Sequence, residues 1–221
     1  LFARGSINGF DAIDFDATGS RMICDVDYDL TTGINTWDIF IATNASANTS
    51  SSAGLFGDAN STTGYVGVDA GPNYRAFEPT LSSNIPATTD DVVLFRQPIS
   101  TDITIQSSSQ GAIESASPSN SDWRSGKYVI GHTRVTGQNT GSRFRGLIAE
   151  IAVFDVKNSD AAGQDVMDYM TKRYVSEFFV NPGTISESQI FTPTLTPEII
   201  ESLYIEETRN SINTNQSIEI T

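Results

Sequence analysis

Chemistry at neutral pH needs a base, a nucleophile or a metal, and this chain supplies few residues for any of them. His132 is the only histidine and Cys24 the only cysteine. A serine or cysteine triad would have to use His132, yet no serine sits in a Gly-x-Ser-x-Gly turn. Cys24 falls among the apolar members of an alternating run, so its side chain is expected to face inward as a small buried residue. His132 follows Ile130-Gly131 and reads as a polar residue at a strand end, with an edge contact in a ligand site as the sharper alternative. One cysteine gives neither a disulfide framework nor the usual zinc spacing.

The carboxylates come next. Glu150 lies in the apolar run Leu147-Ile148-Ala149-Glu150-Ile151-Ala152-Val153-Phe154. A retaining glycosidase needs a second carboxyl group on the same face, about 5–5.5 Å away. The positions two and four beyond Glu150 are Ala152 and Phe154, and Asp155 falls at an odd spacing. Glu150 is therefore expected to be a hydrogen-bonded structural residue, and the chain is expected not to be an enzyme. Asp25, Asp27 and Asp29 alternate on one strand face and are the candidate metal ligands, with calcium as the candidate ion and no other cofactor implied. They are not an EF-hand, since Leu30 and Thr36 occupy the positions of its glycine and closing glutamate. Asp69, Asp90 and Asp91 form a rival set near strand ends.

A sugar site would need exposed aromatic rings beside amides and carboxylates. Trp123, flanked by Asp122 and Arg124, is the first candidate, and Tyr74 with Asn73 and Arg75 the second. Both aromatics also read as covers for the edge of a core.

The elements that would position these residues are mostly short strands. Met22, Cys24, Val26, Tyr28 and Leu30 alternate with polar neighbours, the period of a half-buried strand. Similar runs recur at residues 37–42, 65–68, 91–95, 102–106 and 127–130. Turn-forming clusters separate them at residues 44–54, 71–73 and 107–111. Many short strands with frequent turns indicate an antiparallel sandwich. Residues 147–154 are apolar on both faces apart from Glu150, as a central strand would be. A helix should follow, capped by Ser159, with Ala162, Val166, Tyr169, Met170 and Tyr174 on its buried stripe and Lys172 and Arg173 favouring its C-terminal end. Beyond Tyr174 the texture changes. Pro182 to Pro197 and Ile185 to Ile200 share an offset of about fifteen residues, a weak tandem repeat of extended segments.

Charge narrows the partners. Lys plus Arg number 13 against 27 Asp plus Glu, a net charge of −14 over 221 residues. That potential repels phosphate backbones and anionic lipid, which argues against nucleic acid and membrane surfaces. No run approaches the roughly 20 apolar residues of a membrane span. The chain is expected to be soluble.

The segment Phe144-Arg145-Gly146-Leu147-Ile148-Ala149-Glu150-Ile151-Ala152-Val153-Phe154-Asp155, with Ser159-Asp160-Ala161 and a helix ending Tyr169-Met170-Thr171-Lys172-Arg173-Tyr174, resembles the closing pattern of the concanavalin A-like, laminin-G-like family. Asn8-Gly9-Phe10-Asp11-Ala12-Ile13-Asp14-Phe15-Asp16 is similar to that family's opening strand, and Lys127-Tyr128-Val129-Ile130-Gly131 to its penultimate one. Ala162 departs from the family's capping-box glutamate, and the strand the family places before residue 5 is missing. The resemblance implies an all-β, two-sheet antiparallel jelly-roll sandwich over residues 1–174 with one short C-terminal helix, followed by an extended β-repeat tail over 175–221. The stretch from Ile185 to Leu195 is also similar to repeats of tailed-phage structural proteins. Together these imply a non-catalytic protein at a virion surface, as capsid decoration or tail-fibre module. It would be oligomeric in the assembly, with other virion proteins or its own copies as partners and host-surface glycans as candidate ligands. A secreted bacterial carbohydrate-binding or adhesin domain is the alternative.

Overall fold

The computed structural model describes residues 3–16, 21–28, 30, 36–59, 64–77, 81–99, 102–111, 113–116, 126–133 and 143–175. The repeat tail expected from residue 175 onward lies outside them from residue 176. Along the chain run β1 (Ala3–Ile7), β2 (Phe10–Asp16), β3 (Met22–Tyr28), β4 (Trp37–Asn44), β5 (Ala53–Asp58), β6 (Tyr65–Val68) and β7 (Asn73–Phe77). There follow β8 (Leu81–Pro86), β9 (Asp91–Ile99), β10 (Asp102–Ser107), β11 (Ile113–Ala116), β12 (Gly126–Ile130), β13 (Arg145–Phe154) and the helix α1 (Asp160–Tyr174). A strand thus stands at Ala3–Ile7, where the resemblance implied a gap.

Among the described residues these strands form two antiparallel sheets, ordered β1-β2-β13-β4-β9-β10-β11 and β3-β12-β5-β6-β7-β8. Apolar side chains from both sheets share one core. Strand β4 shows how alternation builds it. Trp37, Ile39 and Ile41 join the core between the sheets, while Phe40 and Ala42 join a second cluster with Met167, Met170 and Tyr174 of α1. Both faces of β4 are therefore covered, one by the other sheet and one by the helix. Strand β9 repeats the pattern, with Val93 and Phe95 inward and Val92 and Leu94 toward the helix cluster. The edge-to-face pair Tyr74–Phe95, with centroids 6.1 Å apart, joins the two sheets.

Strand β13 is central, hydrogen-bonded to β2 on one side and β4 on the other. Its register shifts between Ile148 and Glu150. Ile148, Ile151 and Val153 pack on the inter-sheet core, whereas Leu147, Ala149, Ala152 and Phe154 pack on the helix cluster. Two inward residues three apart require an extra residue between them, and a bulge supplies it. Glu150 lands on the helix side together with Ala152 and Phe154. Gly146, at the start of this strand, has φ +143, and a Cβ there would stand 2.2 Å from the Asn44 carbonyl oxygen.

Helix α1 begins as expected, with the Ser159 hydroxyl accepting from the Ala162 N–H at 3.2 Å. Its buried stripe is rotated from the expected one. Gly163, Met167, Met170 and Tyr174 are buried, Val166 flanks them, and Ala162 and Tyr169 are exposed. The reason is the floor beneath. A Cβ on Gly163 would meet the Arg96 guanidinium at 2.2 Å, so the helix comes closest to the sheet at a residue with no hydrophobic signal.

At the other end of the helix, Asn8 (φ 49) and Gly9 (φ 80) make the two-residue turn that joins β1 and β2. The Asn8 side-chain amide donates to the Arg173 carbonyl at 3.1 Å, satisfying one of the last acceptors of the helix.

Candidate functional site

The residues that could do chemistry are dispersed, and those described are engaged internally. The Glu150 carboxylate accepts a hydrogen bond from the Tyr174 hydroxyl at 2.7 Å. Burial first, then this bond and the Glu150 charge, push the Tyr174 phenol up to about 12. Glu150 ties the last turn of α1 to the central strand, the structural role expected for it. His132 is buried directly after β12 and bridges to Arg143. Cys24 packs partly buried against the inter-sheet core, and burial raises its thiol pKa.

The rival acidic set is not assembled. Asp69 accepts from the Gly71 and Asn73 N–H groups, each at 2.8 Å, and closes its own turn. Asp90 accepts from the Asn44 amide at 2.7 Å and from the Asn8 N–H at 3.3 Å. Asp91 is fully buried and accepts from the Ser107 hydroxyl (2.6 Å), the Ser108 hydroxyl (3.0 Å) and the Ser109 N–H (2.8 Å). Among the described residues no group of three His, Cys, Asp or Glu side chains could hold a metal ion. The side chains of Asp25 and Asp27, and the whole of Asp29, lie outside the described residues.

Tyr74 does not present a ring to solvent. It is completely buried in the inter-sheet core, and burial followed by the neighbouring Asp91 carboxylate holds its phenol well above the ordinary value. Its hydroxyl makes no hydrogen bond of good geometry to the described residues, although Asp91 lies near enough to act on it. Arg75 is buried beside it, donating to the Ser51 carbonyl at 3.0 Å and the Ser52 hydroxyl at 3.2 Å, and Asn73 is half-buried. Strand β7 is sandwiched between β6 and β8, so its inward residue becomes core. Trp123, Asp122 and Arg124 lie outside the described residues.

A concave site does exist, in a place the sequence did not suggest. It is a groove of about 360 Å³ on the outer face of the seven-stranded sheet. Helix α1 packs on β4 and β9 and leaves the same face of β10 and β11 beside it, so the groove forms at the step. Register fixes its floor in two rows. One runs Leu94, Gln106, Ile113 across β9, β10 and β11, and the other Arg96, Thr104 across β9 and β10. The helix side supplies Lys157, Asp160 and Gln164.

An ion-pair network holds the end of this groove. Asp38, fully buried on β4, accepts from Arg96 Nε at 2.8 Å and Nη2 at 2.9 Å. The same carboxylate accepts from the Asn158 N–H and its side-chain amide, both at 3.1 Å. Arg96 Nη1 reaches Asp160 at 3.0 Å, and Lys157 Nζ reaches the same carboxylate oxygen at 3.3 Å. The Asp38 bonds raise the Arg96 pKa further, so its charge is permanent. Among the described residues two cations therefore face two carboxylates and their charges cancel, although the chain carries −14. Alternation on β9 and β10 could have placed Arg96, Thr104 and Gln106 on one outer face, but nothing in the sequence said that the helix stops short of β10.

No protein-family model matches the chain, and no curated protein sequence matches it.

Proposed function

We propose that this chain is a non-catalytic surface protein of a phage or phage-like particle, a capsid decoration or tail-fibre module built on a concanavalin A-like jelly roll, with surface glycans as its candidate ligands. The observation that carries the non-catalytic part is the spending of functional groups. Glu150, Asp38, Asp69, Asp90 and Asp91 each accept hydrogen bonds from the protein itself. None is left as an acid–base pair facing a cleft, which general acid–base catalysis requires. The jelly-roll reading is supported by the motif at residues 144–174 and by the pairing of β2 with β13, strands far apart in sequence, within one sheet. The chain also passes repeatedly from one sheet to the other. The particle reading is supported by the repeats after Ile185. A secreted carbohydrate-binding or adhesin domain is the second reading, and the groove beside α1 favours it.

Mass spectrometry of gradient-purified particles from a culture carrying the gene tests the first reading. The chain should co-sediment with DNA-filled particles in many copies. Its recovery only from the particle-free secreted fraction would move the assignment to the adhesin. Turnover of any member of a polysaccharide panel that disappears in Glu150→Gln would overturn the non-catalytic assignment.

A further inference from the structure

We propose that the groove between α1 and strands β9–β11 is a binding site for a neutral saccharide, away from the Trp123 and Tyr74 positions where the sequence alone looks for one. The inference deepens the reading of this chain as a glycan-recognising surface protein and rests on it.

Charge decides the ligand class first. Arg96 and Lys157 are already matched by Asp38 and Asp160 within 2.8–3.3 Å. An incoming anion would have to displace Asp160 and enter the field of a chain with net charge −14. An incoming cation would meet Arg96 and Lys157. A ligand without charge displaces nothing, and its hydroxyls can both donate and accept.

The hydrogen-bonding groups match such a ligand. The side chains of Thr104 and Gln106 point from β10 into the groove and, among the described residues, make no hydrogen bond of their own. Gln106 and Thr104 each offer a donor and an acceptor. Asp160 is 84 % exposed and accepts from both cations through one oxygen, Oδ1, leaving its other oxygen for a hydroxyl pair. Ile113, 63 % exposed at the edge strand, gives an apolar wall for the C–H face of a pyranose ring. The volume of about 360 Å³ sits near the lower end of the roughly 300–1,000 Å³ typical of small-molecule sites, which suits one or two sugar residues. The floor is rigid, because its residues belong to hydrogen-bonded strands and Arg96 is clamped by Asp38. Among the described residues the lining holds no aromatic ring; Ile113 supplies the apolar surface in place of the ring of the usual sugar site, so affinity for a monosaccharide should be millimolar.

The test uses the full-length chain, ¹⁵N-labelled, titrated with the methyl glycosides of glucose, galactose, mannose, N-acetylglucosamine and glucuronic acid. At least one neutral glycoside should shift the amides of Thr104, Gln106, Ile113 and Gln164 saturably. Gln106→Leu and Asp160→Asn, both at surface-facing positions, should each weaken that binding about five-fold, the loss of one net hydrogen bond. The wild-type shift map stands by itself if either variant misfolds. Shifts for no neutral glycoside, shifts confined to other residues, or glucuronate binding as tightly as the best neutral glycoside would each overturn the proposal. A glycan-array signal that survives in both variants would sink the groove while leaving glycan recognition intact, and absence from particles would sink the virion reading independently of either.

Discussion

Removing Asp38 should be among the most damaging single changes at the helix–sheet junction. The Asp38→Ala substitution deletes the acceptor of four hydrogen bonds, two from Arg96 and two from Asn158. It strands a guanidinium that keeps only the exposed Asp160, and it frees the loop that leads into α1. Breaking a buried ion pair from one side costs about 3–5 kcal/mol. Arg96 keeps 13 % of its side chain exposed, so solvent softens the loss and the lower end, about 3 kcal/mol, applies. For a domain of this size that corresponds to a fall in Tm of roughly 6–12 °C. Urea unfolding followed by far-UV circular dichroism measures the loss directly. The double variant Asp38→Leu with Arg96→Met should recover part of it, since removing both charges leaves no buried ion without a partner. A loss below about 1 kcal/mol for Asp38→Ala, or strictly additive effects in the double variant, would show that the network is not what docks the helix.

Three further outcomes follow from the same geometry. Tyr174 is neutral in the fold until about pH 12 and ionises near its ordinary value when unfolded. Its contribution is therefore complete below about pH 10 and lost as pH rises toward 12, worth about 1 kcal/mol after screening. Urea midpoints of wild type and Tyr174→Phe at pH 9 and above should converge as pH rises, and a constant gap would refute the linkage. Met170→Ala should cost about 2–4 kcal/mol and Tyr169→Ala almost nothing, because only Met170 is buried; equal losses in thermal melts would restore the stripe drawn from spacing alone. Gly146→Ala places a Cβ against the Asn44 carbonyl at a φ of +143 and should cost about 3 kcal/mol or prevent folding, so a normal melting curve would contradict the backbone geometry.

Period-two strands with one solvated face were legible, and so were the central strand and the helix cap. Strands covered on both sides were not. In β5, Gly54 and Gly57 take the places where polar residues would mark an outer face, because the backbone of His132 and Thr133 lies over them. A Cβ would stand 2.5 Å and 2.8 Å away, respectively. In β8 the inward position between Leu81 and Ile85 is Ser83, whose hydroxyl donates to the Tyr74 carbonyl at 2.6 Å, and a polar residue there hides the alternation. Glu150 was legible as a structural residue because its same-face neighbours are apolar. Tyr74 stayed open between a rim aromatic and a core cover because polar neighbours in sequence say nothing about which sheet closes over the ring. The groove was invisible for a different reason: it is a step between a helix and a sheet, and no local pattern records where the helix ends relative to β10.

Immunogold electron microscopy on intact particles, with an antibody raised against this protein, tests the virion-surface assignment. Dense, regular labelling of the particle exterior is the predicted result. Unlabelled particles from a culture in which the same antibody detects the protein free in the medium would contradict it.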